Sequence, residues 1–565
     1  MNRKENIIFQ YEKKIDIISF AIIAPVAALA STLFALALQP VIDSGLSGDI
    51  TVFIKASVWA VFWGIADVFF VFVQDIQSEK IKIRYTKQLR LHYFKYFFEQ
   101  RIEKFIEKDS SFYLSKLTVD AEVIAEKYVE SLLKVYKCIW SLIISIVAII
   151  LARWELAIYA VIFSLLSVNL PKLFQKKADL AEQEYLLSNN RHIAKAQESV
   201  NNFLVVRLFG IIKSQEKKYS EMIDEVERKD NTRKHKTFAI DAIAGGISEL
   251  SFVLIIIFAM VLVINKKLSV GYIMSVSQLL GGIMFPFEIL PGCLLAYRTG
   301  KKIYNDNENM LDDVEGAHMM VKKHIKECEH HIQVKELSFS YTGEIPLLDD
   351  INLSLDFRKK YALVGTSGSG KSTLAKIIMG FLKPTEGMVS IDDIALEEID
   401  ETSLYNIVSY QSQMLSFFND TIKNNILLGN DVSEDIWNKI LQDACLDKML
   451  DKLSDKENFI IGENGKNVSG GEAQRICLAR SLAKNPQFII FDEIASSLDN
   501  HNASEIEKTI LSLKDVGILM ITHRIFKENM EKYDKILVMK DGRITEQGTW
   551  DELIMKNGDF AKLLH

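Results

Sequence analysis

The chain has 565 residues, 49% of them hydrophobic and 25% charged, with a formal net charge of −7. One globular core rarely grows past about 250–300 residues, so a single domain is excluded, and a mean hydropathy of +0.10 points to a chain part membrane-embedded and part soluble. Five scattered cysteines (Cys138, Cys293, Cys328, Cys445, Cys477) show neither a disulfide framework nor metal-ligand spacing.

Apolar runs cover residues 15–38, 52–73, 139–151, 156–170, 247–264 and 270–295. A helix needs about 20 apolar residues to cross the hydrocarbon layer. The first, second and fifth runs approach or meet that. The third and fourth are short and joined by "ARWE", as in a hairpin of two spans, and Gly281, Gly282, Pro286, Glu288 and Pro291 dilute the sixth. A signal peptide is the alternative for the first run, but the run is too long and a second follows at once.

Between Lys80 and Lys108 stand nine Lys and Arg against three Glu, and residues 172–236 are basic as well. Positive loops stay cytoplasmic. Residues 40–51 hold no Lys or Arg, as an outside loop should; Lys266 and Lys267 depart from the rule. Six spans put both termini in the cytosol. The two long cytoplasmic segments contain no proline but Pro171 and are rich in helix formers, so they are expected to continue the spans as helices.

The texture changes after Met320. A membrane domain is expected over 1–322, a linker over 323–331 and a soluble domain over 332–565. "HIQVKELSFSY" and "LLDDINLSLDF" have strand character. An apolar strand over 361–364 then leads into "GTSGSGKS" and a helix. Glycine lets backbone N–H groups wrap phosphates, and the helix N-terminus adds its dipole. Gly365, Thr366, Ser367, Gly368, Ser369, Gly370, Lys371, Ser372 and Thr373 form this loop. Lys371 is placed for the β- and γ-phosphates and the Ser372 hydroxyl for Mg²⁺. "FIIFDE" is a buried-strand pattern ending in two acids, with Asp492 suited to Mg²⁺ and Glu493 to polarising water as a general base. The alternative is a strand ending at an ordinary acidic turn. "ILMITHR" adds a strand ending in His523.

These residues resemble the ATP-binding cassette (ABC) transporter superfamily, and within it the exporter-type half-transporters, over essentially the whole chain. The resemblance implies an all-α six-helix transmembrane domain joined to an α/β P-loop NTPase cassette with a helical subdomain. It implies ATP and Mg²⁺ as cofactors, and His523 as a γ-phosphate contact. Tyr341 in "FSY" is similar to the aromatic that stacks on adenine. Gln413 in "VSYQSQMLSFFNDTI" is similar to the glutamine that senses Mg²⁺, Gln411 being the nearby decoy. Glu463 resembles a cross-contact acid, and Asp499, ending "ASSLD", the loop joining two ATP sites. "VSGGEAQR" resembles the signature, whose Ser469, Gly470, Gly471 and Glu472 would close over a nucleotide held by a second half-transporter, either a second copy or a different chain. Residues 105–120 and 198–210 resemble the coupling segments that dock on cassettes. The signature departs from its commoner form at Val468, Glu472 and Ala473.

Trp59, Trp63 and Asp67 recur at i, i+4 and i+8 on one helix face. With Asp241, Glu249 and Glu288 they are candidates for an acidic, aromatic substrate cavity favouring cationic amphiphiles or peptides; the alternative is hydrogen bonding between helices. The expected function is ATP-driven export of an amphiphile, peptide or lipid across the cytoplasmic membrane. Import of a metal-chelating small molecule by one chain of a heterodimer is the alternative. A soluble ABC ATPase acting on nucleic acid is excluded by the apolar runs. A fused leader protease is not expected, because no cysteine precedes Cys138.

Overall fold

The computed structural model describes residues 14–564 apart from 101, 107, 316–322, 342, 344 and 495–498. The basic N-terminus, the expected end of the first domain and four residues of "ASSLD" therefore lie outside the described residues. The chain divides into two compact units, Met1–Glu99 with Asp109–Asp312, and Gln100–Lys108 with Asp313–His565.

The first unit is built of long helices: α1 (Lys14–Ser47), α2 (Ile50–Glu99), α4 (Ser110–Leu151), α5 (Trp154–Asn201), the short α6 (Phe203–Leu208), α7 (Ile212–Ile264) and α8 (Val270–Glu315). In lipid no hydrophobic force drives helices together, so close approach of small residues supplies the packing. Ala24, Ala27, Ala30 and Ala35 of α1 are accordingly buried, as are Ala56 and Ala60 of α2, while Val58, Val61, Phe62, Ile65 and Phe69 face outward. The polar stretches expected as helical extensions are helical. Beyond its apolar run, α2 packs Tyr85, Leu89, Tyr93 and Phe97 against Tyr113, Ile124 and Tyr128 of α4 and Tyr304 of α8. Buried Asp16 pairs with Lys80 at 3.0 Å and with Arg84, tying α1 to α2 beside this aromatic core.

Among the described residues five helices, α1, α2, α4, α7 and α8, are long and apolar enough to cross a membrane. The fourth expected span is the exception. Residues 156–170 are helical, but at about 1.5 Å per residue they reach only about 22 Å before Pro171 and Lys172, short of a hydrocarbon layer about 30 Å thick. Leu156, Ala157 and Ala160 still pack with Ile255 and Ala259 of α7 and Val276 of α8. The expected coupling segment 105–120 is also divided differently. Ile102–Ile106 forms a short helix, α3, within the second unit, whereas residues from Ser110 onward open α4. In the other expected coupling segment, α6 is a short helix with Phe203, Leu204 and Leu208 exposed.

The second unit holds two sheets. The first is antiparallel, in the order β2 (Leu348–Asp356), β1 (His331–Phe339), β4 (Glu386–Ile391), β5 (Ile394–Ala395). The second runs β10 (Arg543–Gly548), β9 (Lys535–Lys540), β3 (Lys360–Gly365), β8 (Gly517–Thr522), β7 (Phe488–Asp492), β6 (Val408–Gln411). All neighbours in the second sheet are parallel except β10 with β9. Strands buried on both faces read as continuous apolar runs, which is why "FIIF" and "ILMI" carry no alternation. Lys360 anchors the sheet's lower edge, its ammonium donating to Leu513 O at 2.9 Å and to Leu511 O at the end of a neighbouring helix.

Candidate functional site

Parallel strands deliver their C-terminal ends to one edge, where open α/β sheets place their ligands. Register puts Val364 of β3 opposite Thr522 of β8, and Asp492 of β7 opposite Ile521. The phosphate-type loop, the acidic pair and the histidine loop therefore emerge side by side.

The loop after β3 turns through Gly368 (φ 81°) and Gly370 (φ 100°) into α9 (Lys371–Ile378). At that φ any side chain on Gly370 would be strained, and its Cβ would lie 2.5 Å from Leu348 Cδ2. Lys371 is buried and donates to Gly365 O at 3.0 Å and Thr366 O at 2.9 Å, spanning the loop from inside. Burial lowers its pKa, against the opposing pull of Glu493 and Asp492. The Ser369 backbone N–H donates to Thr366 O at 3.3 Å, and Tyr341, exposed at the rim, places its hydroxyl 3.4 Å from Thr373 Oγ1. Ser367 lies in the same turn.

Asp492 is buried and holds two hydroxyls. Ser372 Oγ donates to its Oδ1 at 2.7 Å and Tyr410 to its Oδ2 at 2.8 Å. Glu493 follows in the left-handed region at φ 49°, its N–H fixed on Ile521 O at 3.0 Å. A non-glycine residue held there stores about 1–3 kcal/mol, of the kind found at functional sites. Gln413 Nε2 donates to Glu493 Oε2 at 3.0 Å, and His523 Nδ1 lies 3.7 Å from Oε1. Gln411, the decoy, is buried in β6. So the structure brings together Lys371, Ser372, Gln413, Asp492, Glu493 and His523.

The signature residues belong to another helix. Ser469 is the N-cap of α12 (Gly470–Ala483) in a capping box with Glu472, which packs on α10 (Ile422–Leu427) and α11 (Glu434–Asp443). Ser469 Oγ and N–H donate to Glu472 Oε2 at 2.7 Å and 2.8 Å. Gln474 Nε2 donates to Ile494 O, linking α12 to the strand that carries the acids. Asp499 caps α13 (Asn500–Ser512), accepting from the Asn502 N–H at 3.0 Å. Glu463 opens a 3₁₀ turn, with Lys466 at 3.4 Å.

Residues 348–496 match the ABC transporter family and residues 17–287 its transmembrane region. The chain belongs to the ABC transporter family. It is an exporter-type half-transporter, a multi-pass membrane protein that couples ATP hydrolysis to transport. It is 26% identical over 563 residues to an ATP-dependent lipid A-core flippase of Mannheimia succiniciproducens, covering 97% of this chain and 94% of that one. A lactococcin-G-processing and transport ATP-binding protein of Lactococcus lactis is 29% identical over 85% of this chain and 69% of its own. The structure of a bacterial Atm1-family ABC exporter with ATP bound superimposes with a TM-score of 0.80 at 22% identity, covering 98% of each chain, a likeness of fold.

The proposed substrate residues of this ABC half-transporter are less concentrated. Trp59 stacks on Phe62 at 5.9 Å, and Trp63 meets the two rings edge-on at 5.7 Å and 5.4 Å. Asp67, however, is taken up by the Ser31 hydroxyl of α1, as in the interhelical alternative. Glu249 is exposed on α7 and Glu288 is exposed on α8. Sequence reasoning missed Tyr410 and Lys360. For Lys360 the signal was a lysine opening an apolar strand, whereas Tyr410, in "VSYQ", carried none.

Proposed function

We propose that this half-transporter pairs with a second one and exports a lipid-like amphiphile. In this reading each cassette loop holds Mg-ATP while the partner's Ser469, Gly470 and Gly471 close over the γ-phosphate. The observation that carries it is Glu493, strained at the end of β7 and held by Gln413 at 3.0 Å with His523 beyond, beside the Lys371 loop. That is where a base for an attacking water is needed. Tyr341 would stack on adenine, Thr366 to Thr373 would wrap the phosphates, and Asp499 would join the two sites. The Ser372 hydroxyl and an Asp492 oxygen, 2.7 Å apart, are the hard oxygen pair that suits Mg²⁺, with Gln413 within reach of Glu493 beside them. When bound, Mg²⁺ neutralises charge on the β- and γ-phosphates.

Two kinds of support favour a lipid-like cargo and export. The relatives are named as a flippase and a transport protein, and α2 turns a long aliphatic and aromatic face outward. The importer alternative draws no support from them. The basic segments favour a cytosolic cassette.

The test reconstitutes the chain alone in lipid vesicles and follows ATP hydrolysis together with movement of fluorescent lipids and peptides between leaflets. Wild type should move a lipid with ATP, and Glu493→Gln should lose about 10²–10⁴-fold in hydrolysis while still binding ATP. Undiminished hydrolysis in the variant refutes the assignment of the base. No hydrolysis by the wild-type chain alone shows that the partner is a different half-transporter.

A further inference from the structure

Asp492 is almost fully buried and a carboxylate has two oxygens, only one of which meets Ser372. The other is held from the opposite side by the phenol of Tyr410, at 2.8 Å. Tyr410 sits on β6, paired in register with Ile490 of β7, two residues before Asp492. Its ring is fixed edge-on against Phe381 at 5.4 Å and 90°, and Phe381 stands three residues beyond the helix that the phosphate loop opens. Phenol, carboxylate and serine hydroxyl thus form one line across three elements, Tyr410 to Asp492 to Ser372.

We propose that Tyr410 is a positioning residue of the ATP site, setting the rotation of the Asp492 carboxylate so that Oδ1 faces Ser372 and the divalent cation. The hydroxyl is a dependable donor. Its ring is pinned against Phe381 and its phenol donates to the Asp492 carboxylate at 2.8 Å. Partners that hydrogen-bond a metal-ligating carboxylate fix its orientation and set metal affinity, and their loss weakens binding about 10–100-fold. The inference rests on the proposed reading that Ser372 and Asp492 hold the cation.

The experiment uses the full-length protein in lipid nanodiscs, with Mn²⁺ as a paramagnetic probe and a non-hydrolysable ATP analogue. Tyr410→Phe should raise half-saturating Mn²⁺ about tenfold or more, leaving metal-free nucleotide affinity at the wild-type value. Asp492→Asn is run beside it. If Asp492→Asn raises the Mn²⁺ requirement and Tyr410→Phe does not, Tyr410 has no positioning role and the cation reading stands. If neither variant moves it, the cation reading falls first. Should Tyr410→Phe melt early, Phe381→Leu decides the matter, because it loosens the ring and keeps the hydroxyl. Normal Mn²⁺ binding in Phe381→Leu assigns the effect to the hydroxyl, and an equal loss there overturns the proposal.

Discussion

Glu472 is the acid standing where the related signatures more often have glutamine, and its geometry gives that difference a consequence. Its Oε2 accepts from both the Ser469 hydroxyl (2.7 Å) and the Ser469 N–H (2.8 Å). These are the donors that the partner's γ-phosphate would need. In the proposed closure a phosphate would replace the carboxylate at Ser469. A hydrogen bond to a charged group is worth about 1.5–3 kcal/mol and a neutral one about 0.5–1.5 kcal/mol. Ser469 is exposed, so the low ends apply and Glu472→Gln should release each Ser469 donor at a saving of about 1 kcal/mol, or roughly fivefold per bond. The assay is fluorescence energy transfer between cassettes in a Glu493→Gln background, titrated with ATP. Half-maximal closure should come at about one fifth of the ATP concentration or less. An unchanged or raised midpoint refutes the argument that the capping carboxylate opposes closure.

Three further outcomes follow from the packing. Buried Glu507 accepts from Tyr533 at 2.7 Å and Asn529 at 3.0 Å, yet burial still raises its pKa. The folded cassette therefore holds that proton more tightly than the unfolded chain. This stabilisation is complete below the ordinary glutamate value of about 4.3 and is lost as pH rises through the raised one. Melting curves should show Glu507→Gln gaining on wild type as pH rises; a pH-independent difference is the refuting result. Gly300 on α8 touches α4 so closely that an added Cβ would stand 2.6 Å from the Tyr128 backbone N. Gly300→Ala should destabilise the helical unit by about 1–3 kcal/mol, seen as a lower melting temperature in detergent, and wild-type melting would show that the helices can part freely. Because Ser31 already occupies Asp67, Asp67→Asn should keep substrate-stimulated ATPase at wild-type level; a selective loss would return Asp67 to the substrate wall.

Much of the cassette was legible because its chemistry demands particular residues at short spacing. A loop that wraps phosphates needs glycines, a lysine and a hydroxyl within eight positions, and Glu493 follows its strand directly. Gln413 was separable from Gln411 by its spacing from "FFNDTI", and the structure buries Gln411 at the end of β6. The membrane helices were legible as apolar runs, yet 156–170 showed where composition stops: a short run followed by lysines is helical whether or not it crosses a bilayer. The split of 105–120 between α3 and α4 was invisible because both halves favour helix.

Local order along the chain thus determined which residues are able to meet phosphate, metal and lipid, since those demands act through spacing and hydropathy. Tertiary structure alone decided which partners they find. The Tyr410 to Asp492 bond spans 82 residues, and the Ser31 to Asp67 contact joins two helices. Such pairs arise because strand register and helix packing bring distant positions within 3 Å, and nothing in either local sequence encodes the other.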